Sequence, residues 1–167
     1  MVHREEFADA ARVADEAEQE LRTAQHALQS HAKVAHAGFL HDAEKEYVEA
    51  RITARLIEGG SLPDPASLQV ETAAWLNGLA EAASELRRYL LNSLRLGRLD
   101  DGDRLLDDMD HVYELLVSID FPDALTGGLR RTTDAYRAVL ERTRSDYTVA
   151  LMQGRLQAAL ESHAAKA

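Results

Sequence analysis

The chain lacks cysteine altogether and has only three prolines, nine glycines and 5% aromatic residues among its 167. Without cysteine there are no disulfides and no thiolate zinc centre. With little glycine or proline to punctuate it, and with alanine, leucine, glutamate and arginine dominant, the composition favours long helices over sheet. There is no apolar run long enough to span a bilayer, and the start, Met1-Val2-His3-Arg4-Glu5-Glu6, is too charged for a signal peptide. The expectation is a soluble, cytoplasmic protein with no membrane partner. Lysine is also scarce (Lys33, Lys45 and Lys166), so arginine carries most of the positive charge. A formal charge of −10 argues against a whole-surface grip on nucleic acid, but leaves room for a local basic groove.

What is present is helical periodicity. Phe7, Ala10, Ala14, Ala17, Leu21, Ala24 and Leu28 form one stripe at alternating spacings of three and four. After a weak break near His31–Gly38, a second stripe runs Leu40, Ala43, Tyr47, Ala50, Ala54, Ile57 and stops at Gly59-Gly60. Asp64 is a suitable N-cap and Pro65 a suitable first residue for a third helix, expected to run to about Gly97. Its stripe is Trp75, Leu79, Ala82, Leu86, Leu90, Ser93, Leu96. A fourth helix starts at the Asp100–Asp103 cluster, carries Leu105, Leu106, Met109, Val112, Tyr113 and Leu116, and ends before Pro122. Thr126-Gly127-Gly128 breaks the chain again. The last helix shows Leu129, Thr133, Tyr136, Leu140, Thr143, Tyr147, Ala150. These patterns predict one all-α domain over residues 1–167, an antiparallel helical bundle of five to seven helices.

Two carboxylate pairs interrupt this order. Glu46 and Glu49 are three apart and Glu81 and Glu85 four apart, so each pair shares a helix face. Taken singly, either pair reads as a solvated face beside Arg51 or Arg88. Both pairs, however, adjoin apolar stripe residues, where a carboxylate needs a partner or a cation. Facing one another, the four would offer oxygen ligands to Mg²⁺ or Mn²⁺ and suit metal-assisted phosphodiester cleavage. A ferritin-like di-iron site would need Glu-x-x-His, and Asp108-x-x-His111 is only an approximate match. His36 and His41 flank a helix start and read as capping or solvated residues. Gly127-Gly128 lacks the lysine and spacing of a phosphate-binding loop. Between Leu129 and Leu156 arginines outnumber acids, which makes Arg130, Arg131 and Arg137 the candidate phosphate contacts.

The strings Glu46-Tyr47-Val48-Glu49-Ala50, Trp75-Leu76-Asn77-Gly78-Leu79-Ala80-Glu81-Ala82-Ala83-Ser84-Glu85-Leu86 and Asn92-Ser93 together resemble the translin superfamily. The first is more similar to translin-associated factor X and its archaeal relatives than to translin itself. Gly128-Leu129-Arg130-Arg131-Thr132-Thr133-Asp134 resembles the family's last long helix, and the similarity covers roughly residues 36 to 157. It implies an all-α bundle assembling as a homo-oligomer, often an octamer, around single-stranded RNA or DNA. It also implies a Mg-dependent endoribonuclease whose catalytic, metal-binding set falls on Glu46, Glu49, Glu81 and Glu85. Glu81 stands where the animal factor X has aspartate, and the helical region ahead of the acidic motif is shorter than the family's. A non-catalytic nucleic-acid-binding subunit of the same fold is the first alternative. An all-α nucleoside triphosphate pyrophosphohydrolase is the second, although its Glu-x-x-Asp motif differs from the four-residue spacing of Glu81 and Glu85.

Overall fold

The computed structural model describes residues 2–31, 38–98 and 100–166, with side chains from Ala8 onward in the first stretch. Seven helices occupy them: α1 Val2–Leu28, α2 Phe39–Ile57, α3 Pro65–Leu68, α4 Thr72–Arg95, α5 Gly102–Val117, α6 Asp123–Thr126 and α7 Leu129–Ala164. There is no strand among the described residues, and no described helix is long and apolar enough to cross a membrane. The side chain of Phe7, the break at residues 32–37 and His36 lie outside the described residues.

α4 is the central element. Trp75, Leu79, Ala82, Leu86, Leu90 and Ser93 are buried along it as their spacing predicts, while Leu96, past its end, is exposed. Contacts along α4 give the helix directions. Glu44 at the start of α2 meets the start of α4 at Glu71, Lys45 lies against Gly78 and Glu81, and Thr53 and Ile57 share a groove with Glu85, Tyr89 and Asn92. α2 and α4 therefore run in the same direction, joined by the return segment 58–71. The neighbours α1–α2, α4–α5 and α5–α7 are antiparallel, as expected of the bundle.

Two expectations about elements need correcting. The helix expected from Pro65 to Gly97 is two helices, because Gln69 adopts φ 50 and turns the chain. A left-handed non-glycine residue costs about 1–2 kcal/mol. Side chains of α1 stabilise the turn: Arg22 donates to Leu68 O at 2.6 Å and Gln69 O at 3.0 Å, and Gln25 donates to Gln69 O at 3.0 Å. Asp64 caps the short α3 as predicted, accepting the Ser67 N–H at 2.7 Å. The second correction concerns the buried face of α2. It is Glu44, Tyr47, Val48, Ile52 and Leu56, whereas Ala43 and Ala50 are exposed. Burying Val48, Ile52 and Leu56 stabilises by about 1.5–3 kcal/mol each, far more than alanines on the other face could.

α1 packs through its second half, where Leu21 is buried, while Ala10 and Ala17 are exposed. Polar clamps bind it to α2: Arg51 reaches Asp15 at 2.7 Å and Glu18 at 2.8 Å, and Tyr47 donates its hydroxyl to Glu18 at 2.7 Å. The Tyr47 hydrogen bond, ahead of the two arginines Arg51 and Arg22, holds the Glu18 carboxyl below its ordinary pKa despite its partial burial. Arg104 of α5 donates to the last carbonyls of α2, Leu56 O at 2.7 Å and Ile57 O at 3.1 Å, adding to the Gly59 N–H that Leu56 O already accepts at 3.1 Å. α7 has 36 residues, about 54 Å of helix. It buries Leu129, Tyr136, Leu140, Thr143 and Tyr147, but Val149, Met152, Leu156 and Leu160 remain exposed at spacings of three and four.

Candidate metal centre

The site is built on the contact between α2 and α4. Gly78 allows the close approach: a Cβ there would lie 2.6 Å from Lys45 O and 2.8 Å from Val48 Cβ. At the entry to α4, the buried Glu44 carboxylate accepts the Glu71 N–H at 3.1 Å and the Gln25 side-chain amide at 2.7 Å. An anion at a helix N-terminus is favoured by the helix dipole, so Glu44 ties α1, α2 and α4 together at one point. Asn77 secures the opposite side, donating to Thr126 O at 2.7 Å and accepting from the Thr132 hydroxyl at 3.3 Å.

Along this seam one carboxylate oxygen each from Glu46, Glu49 and Glu81 lies within 4.8 Å of the others. Glu46 is exposed, and Glu49 and Glu81 are half-buried. Burial, followed by the charges of Glu46, Glu81 and Glu85, raises the Glu49 carboxyl above its ordinary pKa, with Lys45 opposing. Like charges at these spacings cost a few tenths of a kcal/mol each. That is small against the apolar burial of α2, so packing holds the cluster in place. Glu85 is the next acid along α4. It pairs with Arg88, whose side chain is exposed, and lies outside the group of three. Lys45 donates to Glu81 Oε1 at 3.1 Å. Burial pulls the Lys45 ammonium down, but its bond to Glu81 and the charges of Glu81, Glu46 and Asp42 prevail and raise it.

The donor set is three carboxylates with no histidine or sulfur, which is the chemistry of a hard divalent cation that keeps several waters. Arg130, Arg131 and Arg137 are exposed on α7, on a different neighbour of α4 from α2, and form no ion pair among the described residues. Two residues of the site escaped the sequence reading. Glu44 has a usable signal, since positions 44, 48, 52 and 56 share one face with the most apolar residues of α2. Lys45 has only its i,i+4 relation to Glu49.

These features define an all-α bundle with a carboxylate cluster built across two parallel helices. No family model matches the chain. Over 110 residues it is 29% identical to the uncharacterized protein MJ0175 of Methanocaldococcus jannaschii, covering 65% of this chain; it spans about half, 49%, of that curated relative. Among solved structures it is similar to the crystal structure of AfC3PO, with 36% identity, TM-score 0.69, and coverage of 90% of this chain and 82% of that one. It is likewise similar to AfC3PO in its complex with duplex RNA, with 34% identity, TM-score 0.70, and coverage of 90% of both chains. The chain belongs to the translin superfamily, alongside its archaeal translin-like relatives.

Proposed function

We propose that this chain is an RNA-binding member of the superfamily that cleaves RNA phosphodiesters with a divalent ion, Mg²⁺ or Mn²⁺. The observation that carries the reading is the convergence of Glu46, Glu49 and Glu81 from two helices onto one point. Such an ion supplies concentrated positive charge that activates water for attack and offsets charge on the departing oxygen. In this reading Glu46, Glu49 and Glu81 hold the cation. Glu49, the raised carboxyl among them, serves as a ligand in its ionised form, so cation binding weakens as pH falls through its raised value. Glu85 adds negative charge beside them, while Arg130, Arg131 and Arg137 contact phosphates away from the reacting bond. AfC3PO has been solved with duplex RNA, which adds duplex RNA to the single strands expected from the sequence as a nucleic acid for this chain to bind. The apolar stripe Val149, Met152, Leu156 and Leu160 supports a homo-oligomer, because a regular exposed apolar row favours a covering partner.

The test is incubation of labelled single-stranded and duplex RNA with wild type and with Glu49→Ala, in Mg²⁺ or in EDTA. Cleavage by wild type that requires Mg²⁺ and is lost in the variant is the expected outcome. Cleavage that survives EDTA or the substitution would sink the metal-nuclease reading. Binding of RNA without any cleavage would instead identify a non-catalytic nucleic-acid-binding subunit.

A further inference from the structure

Lys45 lies against the cluster of three carboxylates. Its side chain is only 20% exposed, close to the charges of Glu81, Glu46 and Glu49, and its Nζ lies 3.1 Å from Glu81 Oε1. It follows the buried Glu44 and precedes Glu46, and it lies one helical turn before Glu49. With metal absent, its ammonium is the positive charge that one of the three clustered carboxylates already has. An ammonium on four rotatable bonds is a compact point charge that can leave its partner without moving the backbone. A partly exposed pair of this kind is weak, so it is readily exchanged.

We propose that Lys45 is an exchangeable counter-ion of the cluster. It holds Glu81 until that carboxylate is given over to a divalent cation, and its ammonium then turns to a phosphate oxygen of the bound nucleic acid. The inference rests on the metal-site reading above and adds a residue that touches both cluster and substrate. Its consequence is reciprocal coupling: cation binding releases a phosphate ligand, so each partner strengthens the binding of the other. Arg88 on Glu85 is the exposed counterpart, 77% exposed, and its pair is the more heavily screened of the two.

The experiment uses full-length protein with Mn²⁺ as the probe cation, titrated by electron paramagnetic resonance. Wild type is compared with Lys45→Met, with Lys45→Gln, and with Arg55→Met, which removes the same charge from an exposed α2 position that touches no carboxylate. A fluorescent oligonucleotide made cleavage-resistant by 2′-O-methyl and phosphorothioate substitution reports phosphate binding by anisotropy, with and without Mn²⁺. Both Lys45 variants should bind Mn²⁺ about two- to fivefold more tightly than wild type, while Arg55→Met changes little. The Mn²⁺-induced gain in oligonucleotide affinity should shrink in both Lys45 variants alone. If wild type binds Mn²⁺ but the Lys45 variants bind it equally, more weakly, or no differently from Arg55→Met, the counter-ion role is overturned. An undiminished Mn²⁺-induced gain in those variants overturns the transfer to phosphate. If wild type binds no Mn²⁺ at all, the metal site itself fails, and the inference with it.

Discussion

Replacing Gly78 by alanine tests the helix contact on which the site depends. At an exposed helical position this change would stabilise by about 1 kcal/mol, because glycine is the poorer helix former. Here the added methyl would lie 2.6 Å from Lys45 O and 2.8 Å from both Val48 Cβ and Cγ1. None of these can step aside cheaply, since one is helix backbone and Val48 is fully buried. Overpacking of this kind costs about 1–3 kcal/mol, and contact with backbone places this site at the upper end. The net effect is a loss of about 1–2 kcal/mol, a fall in Tm of about 2–8 °C for a chain of this length. Relief requires α2 to retreat from α4 by about an ångström, which carries Glu46 and Glu49 away from Glu81. Thermal melts followed by circular dichroism, paired with Mn²⁺ titration, read both effects. A Tm at or above that of wild type would refute the close approach. A lowered Tm with unchanged Mn²⁺ affinity would show that the approach does not set the carboxylate spacing.

Two further substitutions separate electrostatics from architecture. Glu49 has its pKa raised in the folded state by burial and by Glu46, Glu81 and Glu85. The folded protein therefore holds the Glu49 proton more strongly than the unfolded chain, and this contribution to stability, present below the unfolded value, is lost as pH rises through the raised folded one. Glu49→Gln in EDTA should raise Tm at pH 7 by about 1–4 °C, from roughly 0.5–1 kcal/mol of relieved repulsion, and the gain should vanish below pH 4.5; no gain at pH 7 would refute the reasoning. Glu44→Ala acts in the opposite direction, because it leaves the Glu71 N–H and the Gln25 amide without the carboxylate they share. The expected loss is about 2–4 kcal/mol, or about 4–16 °C in Tm, and a change under 1 °C would show that the buried carboxylate ties nothing together.

The fold was legible wherever large apolar residues mark the buried face. Along α4, α5 and α7 most residues of the predicted stripes are buried, Leu96 being exposed and Tyr113, Thr133 and Ala150 partly so, since leucine, methionine, tryptophan and tyrosine leave little choice of face. α2 misled because alanine is a weak marker. A stripe through Ala43, Ala50 and Ala54 keeps good spacing, and the true face, Val48, Ile52 and Leu56, has a glutamate as its fourth member. Glu44 is tolerable there only because its hydrogen-bond donors come from 19 and 27 residues away, and periodicity along one helix carries no such information. The break at Gln69 was hidden for the same reason, since the donors that stabilise it belong to α1.

The meeting of Glu49 with Glu81 is less informative about topology than it first looks. A simple antiparallel hairpin turning near residue 64 would also have brought Glu49 opposite about residue 80. The spacing of the two acidic motifs is thus compatible with either direction of α4. The directions differ in what surrounds the acids. The antiparallel arrangement would carry Lys45 toward Glu85 and would set Ile57 beside the start of α4. The parallel arrangement places Lys45 against Gly78 and Glu81, and Ile57 beside Tyr89 and Asn92. The return segment 58–71 therefore decides which acid takes the lysine. With Lys45 on Glu81, the ammonium sits against one of the three clustered carboxylates, and Glu85 is left to the exposed Arg88. The counter-ion role follows from the direction of one helix, a property that neither motif contains.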